Sequence, residues 1–338
     1  MSRPRQISIA LQTSKSAAEY VALARLIDTY PFDGVTVYCD APYHPGFAPL
    51  LLMAPHLRRA RLGVAAISPA RVHPIDIAAQ AALLADLAAG GVYIGLARGA
   101  WLRDHGIAEH AQPIRQIGEA AAVIRMLLEG RSGGYDGAIY RIAPHVRAPY
   151  PLPGQSIPLL IGSWGRRLCA LAGEIADEVK VGGSANPDVV PVIHQYTAKG
   201  RDRAGRAPDA VGVVIGAVTV CDEDRALARQ TARRSVALYL PVVALLDPTV
   251  QVDPALVARL QAAVEADRLN DAAALISDDL LEKFAFAGDP DDLIRQTEAL
   301  FAAGASRVEF GTPHGIPSAN GIRLLGERVI PVLQRGER

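Results

Sequence analysis

The chain of 338 residues has only three cysteines, Cys39, Cys169 and Cys221, far apart and odd in number. They form no CxxC pair, which argues against a disulfide framework or a zinc knuckle and points to a reducing cytoplasm. Aromatic residues make up 5% of the chain, too few for a base-stacking surface. Neither sign of charge is in excess, since 35 Lys and Arg balance 35 Asp and Glu. That removes the basic field of a nucleic-acid binder and the polybasic patch of a membrane-surface protein. The longest apolar run, residues 236–246, is too short to span a bilayer and contains Pro241. The opening MSRPRQISIAL lacks the long apolar core of a secretory signal. HExxH, nucleophile-elbow and Walker patterns are missing, and His105 and His110 lack ligand spacing, so no metal is expected. These absences leave a soluble cytoplasmic protein that handles a small molecule, with no nucleic-acid or membrane partner.

What is there is a rhythm. Half of the residues are hydrophobic, and short apolar runs alternate with amphipathic helical stretches. Strands are expected at residues 6–11, 34–38, 61–67, 91–97, 158–161, 178–181, 211–220 and 307–310, with helical patterns between them. Near-continuous apolar strands separated by helices mean a parallel sheet buried on both faces. Eight such units favour an α/β fold of the closed (β/α)8 TIM-barrel type, residues 1–338 forming one domain. Residues 130–155 read as a long loop or small hairpin. Residues 240–286 break the rhythm and read as an insertion before the last strand, a candidate lid, subunit contact or plain packing.

In a barrel the chemistry sits at the carboxyl ends of the strands. Two of those ends are glycine corners in tandem, Gly162-Ser163-Trp164-Gly165 and Gly182-Gly183-Ser184. Small residues let a backbone approach a phosphate, and the following helix offers its positive end. Arg166 and Arg167 open that next helix, where positive charge opposes the dipole unless an anion lies nearby. Asp40 and His44 follow the second strand; each is a candidate proton donor or acceptor, or else an ordinary turn residue. His73 reads as a helix start, Trp101 as a cover or a rim filler, and His314 as a residue near a ligand's path or a structural one.

Four segments give the chain a resemblance to a known group. They are LGVAAISPARVHPIDIAAQAALLADLAAGGVYIGLARG, IGSWGRRLCALAGEIADEV, the GGSANPD turn and AGASRVEFGTPHG. In order and spacing they resemble the bacterial luciferase-like superfamily of flavin- and deazaflavin-dependent oxidoreductases. The resemblance is to the branch using coenzyme F420, which includes methylenetetrahydromethanopterin reductases and F420-dependent dehydrogenases.

The resemblance implies a hydride-transfer enzyme with F420, or alternatively FMN, at the barrel mouth and a small organic substrate beside it. It implies a non-proline cis peptide, here Ala65–Ala66, behind the ring. Arg98, Gly99, Trp101 and Arg103 would flank the ring, and Ser68 would be a further cofactor-binding residue. Gly162, Ser163, Gly165, Gly182, Gly183 and Ser184 would line the phosphate and tail side. Asp40 matches an acidic residue facing the ring, with Asp40 or His44 as the proton-exchanging group, and relatives pair as homodimers through early helices. The chain departs from two branches. Ala10 stands where the tetrahydromethanopterin reductase carries a carboxylate. Ala41 and Ala185 replace the histidine and lysine of the glucose-6-phosphate dehydrogenases. Both departures point away from those substrates. The rival readings are an FMN-dependent monooxygenase, a non-catalytic flavin-binding paralogue and a phosphosugar barrel.

Overall fold

A computed structural model describes residues 3–335. Strands β1 (Gln6–Leu11), β2 (Gly34–Val37), β3 (Arg61–Ile67) and β4 (Val92–Ala97) alternate with helices α1 (Ala17–Asp28), α2 (Phe47–Met53), α3 (Pro74–Leu87) and α4 (Pro113–Leu128). A two-stranded hairpin, β5 (Tyr135–Asp136) with β6 (Arg141–Ile142), occupies the stretch expected as loop or hairpin. The alternation resumes with β7 (Leu159–Gly162), α5 (Arg166–Ile175), β8 (Glu178–Gly182), α6 (Val189–Arg203), β9 (Gly212–Cys221) and α7 (Arg225–Ala237). Four short helices follow: α8 (Leu240–Val243), α9 (Pro254–Glu265), α10 (Leu269–Ala274) and α11 (Asp278–Phe284). Strand β10 (Ala285–Gly288), helix α12 (Pro290–Ala302), strand β11 (Arg307–His314) and helices α13 (Ser318–Leu324) and α14 (Ile330–Arg335) complete the described residues.

The sheet closes on itself. The parallel order runs β11-β1-β2-β3-β4-β7-β8, and β9 joins β8 to β11, giving the eight-stranded barrel that the alternation implied. Two local signals set the helix starts. Ser16 and Glu19 form a reciprocal capping box on α1. His73 Nδ1 accepts the Ile75 N–H at the start of α3, so this histidine is a cap.

One strand was not anticipated. β10 pairs with the mouth-side half of β9, Ala285 opposite Val218 through Gly288 opposite Cys221. β9 outruns β8, whose pairing ends at Gly182 opposite Gly216, and β10 takes over the exposed edge beyond it. The insertion expected at 240–286 is therefore helical to Phe284 and ends as a strand wedged into the barrel mouth. Its Leu240, Leu260, Ile276, Leu281 and Phe284 form a second apolar core together with Ala228, Ala232 and Val236 of α7 and Val220 of β9.

Two-residue alternation along each strand sends one set of side chains outward to the helices and the other into the barrel. The outward set, including Ile9, Val37, Val64, Ile94 and Ile161, merges with the helices in the main core. The inward set is different. Low in the barrel it carries charge, and towards the mouth it becomes small on β1, β3, β4 and β7, with Tyr38 after β2 the large exception.

Candidate active site

The lower barrel holds a buried ionic layer. Lys180 on β8 pairs with Glu309 on β11, their side chains 6% and 0% exposed. Arg307 bonds Glu178 at 2.7 Å, and Arg61 reaches the same carboxylate at 2.9 Å. Thr36 Oγ1 donates to Glu309 at 2.5 Å and also meets the hydroxyl of Tyr93. Arg61 and Arg307 stack on the Tyr93 ring at 4.9 and 4.8 Å. Burial works against the charge on Glu309, but Lys180 and Arg307 outweigh it and hold the carboxyl below its usual range. The same balance, with Arg307 and Arg61, lowers Glu178. Sequence reading passed over this layer. Its signal was present in EVKV and RVEF, where charged residues two apart must share one face of a strand.

Above this layer the inward positions become small. Ala66 on β3, Ala97 on β4 and Gly162 on β7 lie side by side at the strand ends and are partly open. A Cβ on Gly162 would stand 3.3 Å from Ala97 Cβ and 3.5 Å from Ala66 Cβ, filling the floor they form. The Ala65–Ala66 bond is cis, at the point where the β3–β4 register shifts between Val64 and Ile67. Asp40, partly buried, receives Gln12 Nε2 at 3.4 Å. His44 sits on the outer side of the same loop: its N–H donates to Thr13 O, and its exposed ring lies edge-on to Tyr20 of α1, centroids 6.4 Å apart.

The two glycine corners differ. At the first, Gly165 caps α5 without a side-chain bond, and the exposed Arg166 and Arg167 follow it, Arg166 lying over the Tyr196 ring. Ser163 N–H is taken by Lys180 O and Gly165 N–H by Ser163 Oγ, which shapes the turn and leaves the helix end uncapped. The second corner departs from the expectation of open N–H groups. Gly183 and Ser184 both donate to Gly216 O, at 2.7 and 3.1 Å, and Ser184 is fully buried. Gly183 has φ +79, and a Cβ there would meet Val243 and Tyr239 at 3.0 and 3.2 Å, so this corner seats the insertion. Asn186 completes the seat by donating to Asp247 and Thr249. Of that corner, Gly182 remains open, with nothing within 4 Å of its would-be Cβ.

The other expected contacts are engaged within the protein or stand at the rim. Ser68 is buried and donates to Arg98 O at 2.6 Å, and Gly99 packs its backbone on Ser68 and Leu102. The Arg98 guanidinium is held by Glu109. Trp101 is 46% exposed at the rim, with φ +52. His314 is fully buried, and the reading of a ligand-facing histidine does not survive. Its Nε2 faces Ala10 O at 3.0 Å and its Nδ1 faces Ser318 Oγ at 3.2 Å. A carbonyl only accepts, so the proton sits on Nε2, and burial pushes this imidazole down to about 4. Among the described residues no group of three or more His, Cys, Asp and Glu is arranged to hold a metal, and no helix is long and apolar enough to cross a membrane.

The family model described as luciferase-like monooxygenase matches residues 2–307. The chain is 30% identical over 300 residues to a 5,10-methylenetetrahydromethanopterin reductase of Archaeoglobus fulgidus, covering 85% of this chain and 87% of that one. It is 24% identical over 331 residues to an F420-dependent glucose-6-phosphate dehydrogenase of Nakamurella multipartita, covering 94% and 93%. The solved coenzyme F420-dependent tetrahydromethanopterin reductase of Methanopyrus kandleri superposes with a TM-score of 0.89 at 25% identity, over 97% of this chain and 99% of that one. The chain belongs to the luciferase-like family, on the branch of its F420-dependent oxidoreductases.

Proposed function

We propose that this protein transfers a hydride between coenzyme F420 and a small organic substrate held at the carboxyl mouth of the barrel. It is an F420-dependent oxidoreductase. The observation that carries the placement is the Ala66–Ala97–Gly162 floor lying beside the uncapped, arginine-flanked start of α5. A flat ring suits a floor without side chains, and a phosphorylated tail suits a helix N-terminus with two exposed guanidinium groups. The residues present therefore fit the cofactor. When bound, F420 supplies the hydride donor or acceptor.

The protein's part is binding, orientation and one proton. Arg166 and Arg167 hold the anionic tail. Trp101 closes the rim over the ring. Asp40, steadied by Gln12, gives or takes the proton that accompanies hydride transfer; His44 is the alternative proton carrier from further out on the same loop. The insertion, anchored at Asn186, walls one side of the mouth and limits water there. Two copies pair through α2 and α3, whose Leu52, Leu83 and Leu87 are exposed at 42%, 54% and 41%.

Fluorescence titration of the purified protein with F420 and, in parallel, with FMN tests the cofactor reading. Saturable F420 binding with oxidation or reduction of F420 in the presence of a panel of alcohols, aldehydes, imines and enones supports it. Tight FMN binding with none for F420 refutes it. Sedimentation at micromolar concentration tests the pairing, a monomer being the contrary result.

A further inference from the structure

The inference concerns Tyr38 and rests on the reading of the mouth as a ring-binding site. Tyr38 follows β2 directly, and its backbone is fixed at both ends: N–H to Leu11 O at 3.0 Å, and C=O from Thr13 Oγ1 at 3.4 Å. Alternation places it inside the barrel, one layer above Thr36. It comes one residue after the Val37–Val64 pair, which sets it beside Ala65 of the cis step.

The side chain reaches across the barrel. A Cβ on Gly311 of β11 would stand 2.5 Å from Tyr38 Oη. β1 lies between the two strands, and Ala10 at its inward position leaves the path clear. Gly311 is thus the glycine that lets the phenol in. Below the ring, Lys180 Nζ lies 5.1 Å from its centroid and is engaged with Glu309. Thr36, Tyr93, Lys180 and Glu309 in the layer beneath are all hydrogen-bonded. Tyr38 Oη makes no hydrogen bond to any described residue, although the side chain is only partly exposed. Burial and the nearby Glu309 and Asp40 carboxylates raise the phenol well above its ordinary range, so it stays protonated and can donate. The hydroxyl therefore has no protein acceptor among the described residues, and with Ala10, Ala65 and Gly311 as its small neighbours it is open to one on a ligand.

We infer that Tyr38 is a binding residue for the ring itself, donating a hydrogen bond to a carbonyl oxygen on the edge of the deazaflavin. The contact fixes how deep and which way round the ring sits.

The test uses the whole protein and F420. Tyr38→Phe removes one oxygen and keeps the ring. F420 affinity by fluorescence titration is expected to fall about ten-fold, with the thermal midpoint little changed. Difference infrared spectra of bound F420 are expected to show a ring carbonyl band moved to higher frequency in the variant. In the native protein the same band is expected below its position for F420 in an aprotic solvent, a comparison that needs no variant. A native band at its aprotic-solvent position overturns the contact. So does an affinity loss in Tyr38→Phe without a band shift, the mark of packing alone. If the native protein does not bind F420, the cofactor reading falls and takes this contact with it.

Discussion

Lys180 and Glu309 meet inside the barrel with their side chains almost wholly out of water, on strands that are not neighbours. β9 runs between them, and Gly216 on β9 sits with its would-be Cβ 3.2 Å from Glu309 Cβ, so the pair closes over a glycine. Removing one partner strands a charge in a site that cannot hydrate it. Lys180→Met is expected to cost about 3–5 kcal/mol in urea unfolding. Lys180→Met with Glu309→Gln is expected to cost less than the sum of the two single changes. Strict additivity would show that the pair does not act as a unit.

His314 predicts a pH dependence. Its folded pKa is about 4 because burial disfavours the cation, against about 6.5 when unfolded. The unfolded chain therefore takes up a proton first as pH falls. The contribution is complete above about 6.5 and is lost progressively down to about 4, roughly 3 kcal/mol in all. Between pH 7 and 5 the native protein is expected to lose more stability than His314→Asn, compared by denaturant midpoints. Parallel profiles would contradict the assignment.

Gly63 is held by a close approach. A Cβ there would fall 2.1 Å from Tyr93 Cε1. Gly63→Ala is expected to push the Tyr93 ring off Thr36 and Arg307 and to lower stability by about 1–3 kcal/mol. The measurement is thermal or chemical denaturation. An unchanged midpoint would mean that the ring moves without consequence.

The start of α5 predicts an electrostatic signature. Arg166 lies over the Tyr196 ring at 5.2 Å and Arg167 is exposed. Arg166→Gln with Arg167→Gln is expected to weaken F420 binding about ten-fold at low salt and to flatten the dependence of affinity on ionic strength. Binding that keeps its full salt dependence would move the anionic tail elsewhere.

The seat of the insertion predicts local dynamics. Asp247 is 3% exposed and receives Asn186 Nδ2 at 2.9 Å. Asn186→Ala is expected to cost about 1–3 kcal/mol and to raise amide exchange within residues 240–284. The strands β1 to β4 should keep their protection. Uniform loss across the chain would mean that the insertion and the barrel open together.

The barrel was legible because its evidence is local. Apolar strands of four to ten residues, capped helices and glycine corners each announce themselves within a few positions, as in Ser16 with Glu19 and in VGVVIGAVTV. The cis step at Ala65–Ala66 and the placement of Asp40 at the mouth were reachable through the resemblance, which carries spatial information that composition does not. The ionic layer was missed because EVKV and RVEF were weighed as apolar strands, without asking which face the charges shared.

What the chain dictated along its own length was the alternation of strands and helices, the glycine corners and the small residues of the mouth, since backbone freedom and side-chain periodicity are properties of neighbours in sequence. What awaited three dimensions was the fate of each group. Gly183 and Ser184 spend their N–H groups on Gly216, His314 is shut in against Ala10, Arg98 is held by Glu109, and Tyr38 keeps a free hydroxyl over Gly311. Whether a donor is open or engaged depends on partners tens to hundreds of residues away, and only closure of the barrel brings those partners within hydrogen-bonding distance.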